Sequence, residues 1–108
     1  MVYRYVRQMS RYYLAVNIEA TDQQSKIRIK GQTIELSVCG CGLVSFRRFS
    51  KGTNVAIRLS HQHMVVKAVG RVAYANEDLG MGFAFTAIEQ ADKTILECWI
   101  EDYIASSI

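Results

Sequence analysis

Two short stretches of this 108-residue sequence gather side chains able to recognise an anion. Arg4, Arg7 and Arg11 crowd the first eleven residues, and no acidic residue occurs before Glu19. The second stretch is Glu35-Leu36-Ser37-Val38-Cys39-Gly40, continuing into Cys41-Gly42-Leu43. A guanidinium stays charged, offers a planar fork to phosphate or carboxylate, and stacks on flat rings. Arg7 and Arg11 lie about 13 Å apart in an extended chain and closer in a turn, near enough to act on one small anion-bearing ligand. A carboxylate accepts from N–H donors, and a hydroxyl can add a further bond. Strand alternation predicts Glu35 and Ser37 on one face, with Leu36 and Val38 turned to the core. Gly40 and Gly42 let the backbone turn tightly and approach a ligand without a Cβ in the way.

Catalytic constellations are not evident. His61 and His63 share one apparent loop, no nucleophile–base–orienter set stands out, and no phosphate-binding loop joins a strand to a helix. The chain reads as a binding module and not as an enzyme. Cys39-Gly40-Cys41 and His61-Gln62-His63 lack the ligand spacing of a structural zinc site. They are expected to be turn cysteines and surface-loop histidines, with no metal and no cofactor. Cys98 is expected to pack on a helix, and Trp99 to anchor that helix. Tyr3, Tyr5, Tyr12 and Tyr13 are near enough to the arginines to stack on a base, although barrel packing accounts for at least two of them.

These residues need elements to hold them, and most of the chain alternates with period two. Tyr12, Leu14, Val16 and Ile18 alternate with Tyr13, Ala15, Asn17 and Glu19. Ile34, Leu36 and Val38 are expected on one face of the next long run; Val55, Ile57 and Leu59 mark another. Met64 to Tyr74 is valine-rich and interrupted by Gly70, the mark of a bulge or a barrel corner. Met81, Phe83 and Phe85 close the series. Turn chemistry separates the runs at Lys51-Gly52-Thr53-Asn54, His61-Gln62-His63 and Asn76-Glu77-Asp78. Ala91, Ile95, Leu96, Trp99 and Tyr103 then follow helical spacing, with Thr86 and Glu89 placed as a capping box. The expected architecture is all-β with a C-terminal helix: an antiparallel β-barrel over 12–108, its helix at about 87–105, preceded by a flexible arginine-bearing segment over 1–11.

Half of the residues are hydrophobic and 21% charged, a globular balance. The net charge of +3 favours anionic partners but is too small to mark a nucleic-acid binder. Three cysteines at no disulfide-like spacing, and no apolar run of membrane length, lead to the expectation of a reduced, soluble, cytoplasmic protein.

Arg7-Gln8-Met9-Ser10-Arg11 and Glu35-Leu36-Ser37-Val38-Cys39-Gly40 together resemble the paired signature of the PilZ family, RxxxR followed by [D/N]xSxxG. The likeness extends along nearly the whole chain, through Gly70-Arg71-Val72, Gly80-Met81-Gly82-Phe83 and the terminal helix. It implies a six- or seven-stranded barrel and a bacterial receptor for the second messenger cyclic di-GMP. Arg7 and Arg11 would bind phosphate and stack on base, with Arg4 as a third cation; Glu35 and Ser37 would meet the guanine edge, and Gly40 would let the backbone approach the ligand. Glu35 stands where the family carries Asp or Asn, which keeps the carboxylate and moves it outward by a methylene. The alternative is a motif-altered adaptor that binds no nucleotide and acts by protein–protein contact; a small barrel binding oligonucleotides is a third reading, though neither DNA nor RNA is the expected partner. Without a second domain, the signal would pass to an effector protein, through a homodimer, or both.

Overall fold

β-Branched and aromatic residues at alternate positions favour strands, because one face of each can be buried while the other stays wet. A computed structural model, which describes residues 10–107, forms six of them. They are β1 (Asn17–Asp22), β2 (Arg28–Leu36), β3 (Gly40–Val44), β4 (Asn54–His61), β5 (Met64–Ala75) and β6 (Gly80–Ile88). All neighbours pair antiparallel, and the order β1-β2-β3-β6-β5-β4 closes into a barrel. Closure leaves no unpaired edge among these strands. Ile18, Leu36, Leu43, Ile57, Val66 and Met81 point inward and are essentially inaccessible to water.

The turns follow their chemistry. Gln62 and His63 both have positive φ (52° and 65°), the conformation of a two-residue turn matched to strand twist. Asn76 Oδ1 accepts from the N–H groups of Asp78 (3.2 Å) and Gly80 (3.1 Å), fixing the β5–β6 connection. At Gly70 the β5–β6 register shifts, leaving Thr86 as the extra residue between the pairs Gly70–Phe85 and Val69–Ala87.

The helix α1 (Gln90–Ser106) lays Leu96, Trp99 and Ile100 onto the barrel. His61 meets Trp99 edge-on, with ring centroids 5.4 Å apart, so this histidine is partly packed and not a simple surface-loop residue. The expected capping box is absent. Thr86 stays in β6 and donates its hydroxyl to the Val69 carbonyl (3.2 Å), while Glu89 is the N-cap without a side-chain cap bond. A hydroxyl already used across the bulge is not available to start a helix three residues later. Cys98 is exposed and Cys41 is buried in the barrel, the reverse of the expected placement. Residue 41 falls on the inward phase of β3, whereas residue 98 falls on the helix face turned away from the core.

Two further expectations change at the start of the chain. The ladder begins at Asn17, and Tyr12 makes only an isolated bridge to Leu36. Between them the Leu14 N–H turns back onto the Tyr12 carbonyl (2.8 Å), and the chain is tied to β2 through Thr33. Its buried Oγ1 accepts from the Val16 N–H (2.9 Å) and donates to the Leu14 carbonyl (2.7 Å). Thr33 therefore faces inward, and the β2–β3 register shifts between Thr33 and Glu35. This irregularity turns Ile34 outward, 52% exposed, where simple alternation placed it in the core.

Candidate functional site

Past the bulge that exposes Ile34, Glu35 lies on the outer wall. Glu35 lies directly across from Gly42 on β3, Gly42 across from Gly82 on β6, and Gly82 across from Tyr74 on β5. One row across four strands therefore reads carboxylate, glycine, glycine, tyrosine. The absence of side chains in the middle lets the two ends fold toward each other. A Cβ on Gly82 would lie 2.1 Å from the Tyr74 ring, so the ring rests on the bare backbone of β6. A Cβ on Gly42 would lie 3.2 Å from Glu35 Oε1 and 3.3 Å from the Tyr74 hydroxyl.

Arg11 closes this row from above. Its Nη1 donates to Glu35 Oε1 in a charge-assisted bond, although the Arg11 side chain remains 57% exposed. That hydrogen bond raises the guanidinium pKa above its ordinary value, and the Tyr74 hydroxyl adds to the effect. Because the pair is open to solvent, it contributes about 1 kcal/mol at most. An anion or a guanine edge can therefore compete for either partner at little cost. Beneath the row, burial pushes the Cys41 thiol up to about 12, leaving a neutral, inert side chain in the barrel wall.

Ser37 has a different position from the one alternation predicts. It lies past the end of β2, is 5% exposed, and does not share the outward face of Glu35. Its Oγ accepts from the N–H groups of Cys39 and Gly40 (both 3.1 Å), and its hydroxyl is 3.3 Å from the Gly40 carbonyl. Ser37 thus builds the β2–β3 turn, a side chain folding back on local backbone donors. Gly40 is required by packing: a Cβ there would lie 2.1 Å from the Phe83 carbonyl oxygen. Arg4 and Arg7 lie outside the described residues, as do Tyr3 and Tyr5. Tyr12 packs edge-on against Tyr103 at 6.2 Å, and Tyr13 is exposed.

Of the sequence-predicted residues, the structure brings Arg11 and Glu35 together and puts Ser37 and Gly40 in the adjoining turn. Tyr74 and Gly82 were not singled out. Their sequence signals were a tyrosine ending one long strand and, in the next, a glycine alternating with large apolar residues inside the Gly80-Met81-Gly82-Phe83 run of the family likeness. Among the described residues, no group of three or more His, Cys, Asp or Glu side chains is placed to hold a metal. No helix among them is long and apolar enough to cross a membrane.

The barrel with its terminal helix and motif-bearing wall has clear relatives. The family model described as the PilZ domain matches residues 4–102, and the chain belongs to that family, a class of cyclic di-GMP receptor and adaptor domains. Among solved structures, the fold is similar to the PilZ domain of CeSA from a cellulose-synthesizing bacterium. That likeness has TM-score 0.68 and 18% identity, and covers 87% of this chain and 97% of the other. The Bacillus subtilis inhibitor of motility, MotI/DgrA, gives TM-score 0.68 and 13% identity, over 88% of this chain and 50% of that one. The PilZ domain of YcgR from Escherichia coli, solved with c-di-GMP, gives TM-score 0.62 and 13% identity over 85% and 84% of the two chains. No curated protein sequence matches significantly.

Proposed function

We propose that this chain is a cyclic di-GMP receptor that binds the dinucleotide over the Glu35–Gly42–Gly82–Tyr74 row and closes on it with Arg7 and Arg11. The observation that carries this reading is the meeting of Arg11 and Glu35, one residue from each half of the paired motif, above a glycine floor. Arg11 leaves Glu35 for a phosphate or a guanine face, a charge-assisted partner for a charge-assisted partner. Glu35, once freed, accepts from guanine N1-H and N2-H. The ring of Tyr74 supplies an aromatic face of the kind on which bases stack. Ser37 acts through the turn it holds, with its own hydroxyl already committed. No step of this makes or breaks a covalent bond, so the reading is of a receptor and not an enzyme. Output passes through an effector protein, through self-association, or through both.

The same Arg11–Glu35 bond favours one second reading. A longer carboxylate that satisfies its own arginine suits an adaptor whose wall is closed without nucleotide. Competition binding separates the two. Labelled cyclic di-GMP should bind saturably and be displaced by unlabelled ligand but not by single-stranded RNA. Absence of binding, with a partner recovered equally with and without nucleotide, would establish the adaptor instead.

A further inference from the structure

The outer wall carries a cation that the paired motif does not include. On β5, Val72 pairs with Phe83 and Tyr74 with Gly82, so Ala73 is an extra residue between the two pairs. Residues three apart on a regular strand face opposite ways. The bulge at Ala73 cancels that reversal and brings Arg71 onto the same outward face as Tyr74. Their partners on β6 agree: Ala84 and Gly82 are two apart and share a face, while Val72 and Phe83 between them are buried. Register then gives a second row beside the first: Gly40, Ala84, Arg71 and Asn54. It repeats the plan of the Glu35–Gly42–Gly82–Tyr74 row, with a long side chain on β5 and almost none on β3 and β6.

Arg71 is exposed, and among the described residues its guanidinium forms no ion pair. Its register neighbours, Ala84 and Asn54, are uncharged. The one carboxylate in the two rows, Glu35, is already bonded to Arg11. Ala84 lies two residues along β6 from Gly82, about 7 Å, so the long side chain beside it stands at the edge of the glycine floor. Gly40 and Ala84 put nothing larger than a methyl in its way. The wall thus holds cations at two separated positions: Arg11 over Glu35 on the β2 side, and Arg71 on the β5 side.

We infer that Arg71 is a further ligand-binding residue of this wall and takes the second phosphate of the dinucleotide, the one that Arg11 does not. The inference rests on the nucleotide reading above and extends it. A cyclic dinucleotide carries two phosphates, and Glu35 and Tyr74 are already assigned to its bases. What the wall must still answer is the second negative charge, and Arg71 is the cation with no carboxylate of its own. Its backbone is set in the strand ladder, so it is placed by the barrel and not by the arginine segment. Binding a phosphate breaks no ion pair at Arg71, whereas Arg11 must first leave Glu35.

The test is calorimetric titration of the full chain, and of Arg71→Gln, Arg71→Lys and Arg58→Gln, with cyclic di-GMP. Arg71→Gln should bind at least tenfold more weakly with an unchanged melting temperature, since the replaced side chain is exposed. Arg71→Lys keeps a point charge without the planar fork and should stay within about threefold of the unmodified chain, because phosphate accepts from either. Arg58→Gln, which removes an exposed arginine of β4 outside both rows, should bind as the unmodified chain does. Unchanged affinity in Arg71→Gln, or an equal loss in Arg58→Gln, would overturn the assignment. A lysine variant as weak as the glutamine variant would move the contact from phosphate to a guanine and overturn it too. The two readings fail separately. Binding that ignores Arg71 removes only this residue from the site, whereas no binding by the unmodified chain removes the receptor reading and this inference with it.

Discussion

Arg11 and Glu35, 24 residues apart in sequence, share a hydrogen bond above two glycines of adjacent strands. The contact ties Arg11 to the barrel wall at the place where the proposed ligand would lie. It acts as a latch held by two solvent-accessible charges, and such a latch opens cheaply. The length of residue 35 sets its strength. Glutamate reaches past Gly42 to Arg11, whereas aspartate, one methylene shorter, would leave the guanidinium less tightly held.

The first prediction follows from that length. Glu35→Asp should bind cyclic di-GMP more tightly, by up to about fivefold, because the gain is bounded by the roughly 1 kcal/mol of the competing internal bond. Glu35→Ala should bind at least tenfold more weakly, because the acceptor for the guanine edge is gone. Parallel titrations of the three proteins check both, and equal affinity in all three would remove Glu35 from the site.

The glycine floor gives a second. Gly42→Ala puts a methyl 3.2 Å from Glu35 and 3.3 Å from the Tyr74 hydroxyl, so ligand affinity should fall at least tenfold with little change in melting temperature. Gly82→Ala collides with the Tyr74 ring and should destabilise the fold by about 1–3 kcal/mol, readable in denaturant unfolding.

Ser37 and Thr33 should behave as structural residues. Ser37→Ala leaves two turn N–H groups without their acceptor, and Thr33→Val removes a buried hydroxyl bonded to Val16 and Leu14. Each should cost about 1–3 kcal/mol of stability. In Ser37→Ala, any loss of ligand affinity should accompany a shift of the Cys39 and Gly40 amide signals even without ligand.

Cys41 provides a test of the barrel wall through pH. Burial raises its thiol to about 12 from an ordinary 9.0, so below pH 9 both folded and unfolded chains hold the proton and the shift has no effect. Between about 9 and 12 only the unfolded chain releases it. Stability should therefore fall as pH rises through that window, by about 1.4 kcal/mol per pH unit from this group. Cys41→Val should remove that component of the slope. In the native protein at neutral pH, a thiol reagent should modify Cys39 and Cys98, which are exposed, and spare Cys41.

Much of the fold was legible because inward positions alternate visibly: Val55, Ile57 and Leu59 are apolar in sequence and buried in the barrel. The paired motif likewise pointed to Arg11 and Glu35. Alternation failed where a strand changes phase. The shift between Thr33 and Glu35 exchanges the faces of Thr33 and Ile34, and a polar threonine gives no hint that its hydroxyl will replace ladder bonds to the preceding segment. Tyr74 was missed for a related reason. The β5–β6 pairing shifts between Val69 and Gly70 and again between Val72 and Tyr74, so its meeting with Gly82 depends on partners that no local pattern encodes. Thr86 and Glu89 have the spacing of a helix cap, but the strand bulge claims the threonine first.

The most direct test is a calorimetric titration of the full chain with cyclic di-GMP, repeated on Arg7→Ala and Arg11→Ala. Saturable binding by the unmodified chain, weakened at least tenfold in each variant, is the predicted result. Unchanged affinity in both variants, or no binding by the unmodified chain, would contradict it.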